Sequence, residues 1–116
     1  ILKIAVCDMS GIKNSKDHFI NKWSDRASVL VSGELYLDFM DSAVNKGRGI
    51  EQIQKYFGLK PEECMAFGDN YNDIAMLDKV YYSYAMEKAA SDVKKHGRFI
   101  TGWVEGTLRE QFKDIV

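Results

Sequence analysis

The sequence has few of the features that mark specialised classes of protein. Its 116 residues include 1 proline and 2 cysteines, and no apolar run approaches the roughly 20 residues of a membrane-spanning helix. The cysteines, Cys7 and Cys64, lie in short apolar runs, so we interpret them as small buried side chains rather than a disulfide. We therefore expect a protein of a reducing, cytoplasmic compartment that does not interact with membranes.

An excess of one charge is also missing. Lysine and arginine total 16 against 17 acidic residues, a net charge of −1 that lacks the basic excess of nucleic-acid-binding proteins. The apolar share of 46% is typical of a folded globular protein. Ile1–Val6 is too short and too interrupted for a signal peptide. Because the first residue is Ile rather than Met, we expect the gene product to begin further upstream.

Residues 1–43 predict a strand, a helix and a hairpin. Leu2–Cys7 is a short apolar run, and a helix is predicted to begin with Ser15 as its N-cap. Ala27–Ser32 and Leu35–Met40 flank a turn and predict two antiparallel strands. Apolar residues alternate along the second strand, so we expect its other residues to face solvent: Tyr36, Asp38 and Met40.

Residues 44–116 follow a different pattern, in which helices and strands alternate. The predicted helices are Gly47–Phe57, Asp73–Asp78, Glu87–Lys95 and Val104–Ile115, and the predicted strands are Cys64–Phe67, Val80–Tyr84 and Arg98–Thr101. In the first helix, the apolar stripe is expected at Ile50, Ile53 and Phe57. Such alternation predicts an α/β fold, with a parallel sheet covered by helices on both faces.

The segment Phe67–Asp73 is the most informative for function. It follows a short buried strand, and ligands of open α/β sheets bind at the carboxyl ends of the strands. Asp69 lies at the strand end and Asp73 in the first turn of the next helix, so both carboxylates are predicted to point into one crevice. Mg²⁺ accepts one or two protein carboxylates while it retains water and phosphate oxygens. Asn72 is a candidate donor to a phosphate oxygen.

A purely structural interpretation stays open for this segment. Asp69, Asn70 and Asp73 are also the residue types that cap a helix and favour its positive amino-terminal end.

Lys46, which precedes the predicted helix at 47–57, is a second candidate for ligand binding. A lysine at a helix N-terminus is electrostatically misplaced unless an anion binds there. The alternative is a solvated surface lysine.

Three segments together resemble the haloacid dehalogenase superfamily, most closely its Cof-type sugar-phosphate phosphatases. They are the turn Asn45–Gly47, the run Gly68–Leu77 and the stretch Tyr84–Ala89. The resemblance covers essentially the whole chain. It implies a partial Rossmannoid parallel sheet in residues 44–116, the C-terminal half of the core domain. Residues 1–43 would then be a strand–helix–hairpin remnant of an α/β cap.

The resemblance also implies roles for individual residues. Lys46 would bind the phosphate and balance the charge of the nucleophile, and Asn72 would lie near the phosphate. Asp69 would coordinate Mg²⁺ directly, and Asp73 would support the metal. Lys88 stands where many relatives carry Asn, so the contacts near that position are expected to differ.

One part of the family's apparatus has no counterpart. The family's nucleophile is the first Asp of a D-x-D-G-T/S motif, and the segment around Asp8 has Ser10 in place of the second acid and Ile12 in place of the Thr. We therefore expect Asp8 to end a cap strand, and the 116-residue chain to be inactive alone. An exposed sheet edge would then favour self-association.

The resulting expectation is a Mg²⁺-dependent phosphohydrolase of small phosphorylated metabolites, sugar phosphates among them, that acts through an aspartyl-phosphate. Two alternatives stay open. One is a non-catalytic interaction module that keeps the fold without the nucleophile. The other is a receiver-type phosphoacceptor, which the order of Lys46 before the acidic pair disfavours.

Overall fold

The computed structural model describes residues 3–115 and divides the chain into two compact units that meet between Asn45 and Lys46. The change of sequence pattern lies two residues earlier, between residues 43 and 44. Of the helices in residues 3–115, none has the length and hydropathy needed to cross a bilayer.

The first unit is a three-stranded antiparallel sheet with one α-helix. Strand β1 spans Lys3–Cys7, helix α1 Lys16–Trp23, β2 Ser28–Val31 and β3 Tyr36–Met40. The strand order is β1-β3-β2, so the hairpin's second strand lies in the centre and pairs with both neighbours. The predicted strand, helix and hairpin are therefore all present.

Two local predictions in this unit are wrong, and a third holds only in part. Asp38 was expected to face solvent but is only 9% exposed, because Lys3 Nζ pairs with its carboxylate at 3.2 Å. Ser15 occupies the N-cap position of α1 as predicted, but its side chain makes no capping hydrogen bond, since its hydroxyl donates to Asp8 Oδ2 at 2.6 Å. Cys7 is exposed rather than buried; both Cys7 and Cys64 are free thiols.

The second unit is a parallel sheet flanked by helices. Its elements in chain order are α2 Lys46–Phe57, β4 Met65–Gly68, α3 Ile74–Leu77, β5 Tyr82–Met86, α4 Ser91–Lys94, β6 Phe99–Thr101 and α5 Val104–Gln111. The strands lie in the order β4-β5-β6 and all run parallel, which confirms the α/β prediction.

The boundaries within this unit differ from the prediction. Strand β5 begins two residues later than expected, because Tyr82 rather than Val80 begins the pairing with β4. The predicted helix 87–95 shortens to α4, since the Ala89 N–H donates to Met86 O and closes a turn there. Helix α5 ends at Gln111, short of the predicted Ile115.

The hydrophobic core lies on one face of the parallel sheet, where β4 packs against helices α2, α3 and α4. The core residues are Ala66, Leu77, Val80, Ala89 and Val93, with Ile50, Cys64, Ile74 and Met76 packed against them. Helix α2 turns Gly47, Ile50 and Gln54 inward, and the Gln54 amide donates to Lys79 O at 2.8 Å. The predicted apolar stripe is therefore wrong for Ile53 and Phe57, which are 50% and 67% exposed.

The opposite face of the sheet carries a row of stacked aromatic rings. Tyr84 stacks between Phe67 and Phe99 with ring centroids 5.1 and 5.0 Å away, and Tyr82 stacks on Phe99 at 6.4 Å. Neighbouring strands thus contact each other through side chains as well as through the hydrogen-bonded ladder. Offset stacking of this kind adds about 0.5–1.5 kcal/mol per pair beyond the burial of area.

Candidate functional site

The candidate site is built around the loop that leaves β4. Gly68 ends the strand, and a 3₁₀ turn over Tyr71–Asp73 leads into α3. A Cβ at Gly68 would lie 2.6 Å from Cβ of Asp73, closer than two carbon atoms approach without displacement. Only glycine therefore lets the strand end fold over the Asp73 side chain.

Asp73 is the structural centre of this loop, with a side chain only 5% exposed. Its Oδ2 accepts the backbone N–H of Asp69 at 2.9 Å and that of Asn70 at 3.1 Å. Its Oδ1 accepts a hydrogen bond from Lys46 Nζ. Both carboxylate oxygens thus accept hydrogen bonds, and through them Asp73 connects the acidic loop to Lys46, the first residue of α2.

The environment of Asp73 keeps its carboxylate ionised. Burial by itself raises the pKa of the Asp73 carboxyl, but the hydrogen bonds from Lys46 and from the Asp69 and Asn70 N–H groups outweigh it and hold the pKa below its ordinary value. Asp73 therefore carries a full negative charge at neutral pH, which offsets the charge of Lys46.

Lys46 is held where α2 and α3 pack closely. A Cβ at Gly47 would lie 2.5 Å from the carbonyl oxygen of Ala75, so a glycine is required for the two helices to approach this far. The Lys46 side chain is half exposed, so its ammonium pairs with Asp73 and still meets solvent. It begins a helix of 12 residues, whose amino-terminal end carries partial positive charge.

The capping interpretation holds for two of the three loop residues. Asn70 Oδ1 accepts the Tyr71 N–H at 2.8 Å, and Asp73 accepts the Asn70 N–H in return, as in a capping box. The Asp69 carboxylate takes no part in this arrangement. It is exposed and has no hydrogen-bond partner within residues 3–115.

The predicted site residues are only partly brought together. Lys46 contacts Asp73, and the Asp69 main chain contacts the same carboxylate. Asn72 is exposed in the 3₁₀ turn, and its side chain makes no hydrogen bond to another described residue. No group of three or more metal-ligating side chains of the His, Cys, Asp and Glu types occurs within residues 3–115.

A cavity of about 280 Å³ opens at the carboxyl edge of the parallel sheet. Its lining residues are Asp69, Met86, Glu87, Lys88 and Gly102. One loop from each of the three strands contributes to it. Glu87 and Gly102 are not among the site residues predicted from the sequence. The signal that could have found them is their position directly after β5 and β6, at the same edge as Asp69.

Asp8 lies in a different environment from the strand-end residues of the parallel sheet. It follows β1 of the antiparallel sheet, and its carboxylate accepts hydrogen bonds from the Ser10 and Ser15 hydroxyls, both at 2.6 Å. The bond from Ser10, followed by that from Ser15, lowers the pKa of the Asp8 carboxyl. Asp8 therefore stabilises its own loop.

The parallel sheet has an acidic loop at its carboxyl edge, with a lysine paired to that loop, and this edge is where open α/β sheets bind their ligands. The sequence model described as haloacid dehalogenase-like hydrolase matches residues 1–106. The chain belongs to the haloacid dehalogenase-like hydrolase family.

Individual relatives agree with this assignment. The chain is 37% identical over 85 residues to the 5-amino-6-(5-phospho-D-ribitylamino)uracil phosphatase YbjI of Escherichia coli, a match that covers 73% of this chain and 30% of YbjI. The solved structure of TM0651 from Thermotoga maritima is similar with a TM-score of 0.68, at 28% identity over 85% of this chain and 38% of that one.

A third comparison concerns the fold alone. The HAD subclass IIB sugar phosphatase BT4131 matches with a TM-score of 0.75 at 23% identity, over 98% of this chain and 44% of that one. The chain spans about a third of the length of the curated relatives it matches, between 28% and 33% for the first three.

Proposed function

We propose that this chain supplies the phosphate- and metal-binding half of a Mg²⁺-dependent phosphatase that acts on small phosphorylated metabolites, sugar phosphates among them. The observation that carries the proposal is the tie between Lys46 and the Asp69–Asp73 loop through the buried Asp73 carboxylate. YbjI is named as the phosphatase of a compound with a phosphorylated ribityl group, and this supports the proposed substrate class.

Lys46 is the residue proposed to bind the phosphate. Its side chain is half exposed and its ammonium pairs with a buried carboxylate, so the lysine is held in place while it still meets solvent. The amino-terminal end of α2 adds partial positive charge at the same point. A phosphate oxygen at Lys46 would therefore meet a positioned cation, which also offsets negative charge as phosphoryl transfer proceeds.

The donor set fits Mg²⁺. Asp69 offers an exposed carboxylate without a hydrogen-bond partner in residues 3–115, and Mg²⁺ takes one or two carboxylates with water and phosphate oxygens as its other ligands. Asp69 would hold the ion, which supplies neutralisation of phosphate charge when bound. Asp73, whose oxygens are both engaged, would support it by fixing the loop. Asn72 is proposed to approach the phosphate from the exposed turn.

Residues 44–116 are proposed to form the C-terminal half of the core domain, and residues 1–43 the end of a cap. The aspartyl-phosphate route needs a nucleophilic aspartate in addition to these groups. Asp8 does not suit that role, because two serine hydroxyls already occupy its oxygens. We therefore propose that the 116-residue chain binds phosphate but does not hydrolyse phosphate esters alone.

The test separates binding from turnover. Inorganic phosphate is titrated into the chain with and without MgCl₂, and amide chemical shifts are followed by NMR. We expect Mg²⁺-dependent shifts at Lys46 and Asp69, their loss in Lys46→Ala, and no change in Lys55→Ala, a matched lysine at the other end of α2. Shifts that Lys46→Ala leaves intact would contradict the proposal, as would turnover of p-nitrophenyl phosphate that is lost in Asp8→Ala.

Self-association through β4 is part of the proposal. Strand β4 lies at the edge of the described sheet, where its outer backbone groups are free to pair with a second copy. Light scattering should show a mass above 13.2 kDa that rises with concentration. A monomer at the highest attainable concentration would refute it.

A further inference from the structure

The cavity at the carboxyl edge of the parallel sheet is lined by a cationic side chain, Lys88, to which the proposed function assigns no role. Its volume of about 280 Å³ equals roughly nine water molecules at about 30 Å³ each. That is room for a phosphate-sized group together with a short carbon chain. Asp69 lines one part of it, and Glu87 and Lys88 line another.

Lys88 lacks the acidic partner that several other lysines of this chain have. The ammonium groups of Lys3, Lys46 and Lys79 each pair with a carboxylate. Lys88 has no ion pair or hydrogen bond to another residue in 3–115, although two carboxylates line the same cavity. Its positive charge is therefore available to a ligand.

The turn that carries Lys88 is firmly positioned. The Glu87 N–H donates to Thr101 O at 2.8 Å, and the Ala89 N–H donates to Met86 O at 2.9 Å, so hydrogen bonds flank Lys88 on both sides. Ala89 is itself part of the core, with 8% exposure. The lysine stem thus begins at a fixed point on the cavity wall, which reduces the entropy lost when its ammonium binds an anion.

Glu87 contributes shape as well as charge. A Cβ at Gly102 would lie 2.9 Å from Glu87 Oε2, so the glycine leaves the space that this carboxylate occupies. When a cation is bound at Asp69, two charged side chains of the lining remain: Glu87, which is negative, and Lys88, which is positive. An anionic group that enters the cavity is favoured only at the Lys88 side.

We propose that Lys88 determines substrate specificity by binding a second anionic group, a carboxylate or a phosphate, of a substrate whose reacting phosphate lies at Asp69. This inference rests on the proposed function and extends it from phosphorylated metabolites in general to those with two anionic groups. Lys88 binds and orients the substrate and takes no part in bond cleavage.

The test compares pairs of ligands that differ in the second anion. Glycerol 3-phosphate and 3-phosphoglycerate differ by a carboxylate, and fructose 6-phosphate and fructose 1,6-bisphosphate by a phosphate. Affinities for the 116-residue chain are measured by calorimetry with MgCl₂. We expect about tenfold tighter binding of the member with two anionic groups in at least one pair, the size of one charge-assisted contact. The pair that shows the preference identifies the second group.

Lys88→Asn should remove this preference and leave the affinity for glycerol 3-phosphate within about twofold. Lys95→Asn, at an exposed lysine outside the cavity lining, should retain it. The inference about Lys88 would be overturned if the preference persisted in Lys88→Asn or were absent from the wild-type chain. The proposed function would stand in that case, provided that glycerol 3-phosphate still bound in a Lys46-dependent manner. Loss of that Lys46 dependence would overturn the proposed function as well.

Discussion

Replacing Asp73 by asparagine tests whether this carboxylate holds the site together. Asparagine has nearly the same shape but no charge, and it has one acceptor oxygen where aspartate has two. Each hydrogen bond to a charged group contributes about 1.5–3 kcal/mol. The ion pair with the half-exposed Lys46 adds only about 0.5 kcal/mol, because solvent screens it. Loss of one oxygen and of the charge should therefore lower the free energy of unfolding by about 2–3 kcal/mol.

The pH dependence of this loss follows from the lowered pKa of Asp73. The ordinary pKa is 3.8, and the folded-state pKa lies below it. The carboxylate's contribution to stability is complete above the ordinary pKa and disappears as the pH falls through the folded-state pKa. The difference between wild type and Asp73→Asn should consequently be full at pH 7 and shrink well below pH 4, roughly where the carboxyl protonates.

Urea denaturation followed by NMR signals of residues 46–115 measures the loss at each pH. Asp69→Asn is the matched control, since it makes the same chemical change in the same loop at a carboxylate without a hydrogen-bond partner among the described residues. It should change stability by no more than about 0.5 kcal/mol. Equal effects of the two substitutions, or a loss at Asp73 that does not diminish in acid, would refute the reasoning.

Further predictions concern the glycines, the core and the antiparallel unit. Gly68→Ala should destabilise by about 1–3 kcal/mol because its Cβ would meet Asp73, whereas Gly49→Ala, with open space around it in α2, should stabilise by about 0.5–1 kcal/mol in the same urea experiment. Leu77→Ala should cost about 2–5 kcal/mol because Leu77 is 1% exposed; a thermal midpoint unchanged from wild type would contradict the proposed core. Asp8→Asn should speed amide exchange at Ser10 and leave Mg²⁺-dependent phosphate binding unchanged; weakened phosphate binding would reassign Asp8 to the site.

The elements that could be predicted from sequence are those with a strong local pattern. The antiparallel hairpin, the parallel strands and helix α2 all have a periodicity or a turn that short-range physics determines. Val80 shows the limit of such patterns. It is apolar and buried like a strand residue, yet it lies in the loop before β5, because burial against the core does not require membership of the ladder.

The sequence alone predicts the order of helices and strands and the place of the acidic loop after a buried strand. It also indicates the lysine at the start of α2 as a candidate for anion binding. These features depend on residues close together in the chain, such as the glycine of Gly68 and the carboxylate of Asp73 five residues later. Local spacing is therefore enough to predict them.

Which groups pair depends on the tertiary structure. It directed Asp73 to Lys46, 27 residues away, and left the Asp69 carboxylate exposed in the cavity beside Glu87 and Lys88. It also turned Gln54 of α2 inward. The reason is that burial and pairing depend on which distant segments pack against a side chain, and no periodicity within one segment contains that information.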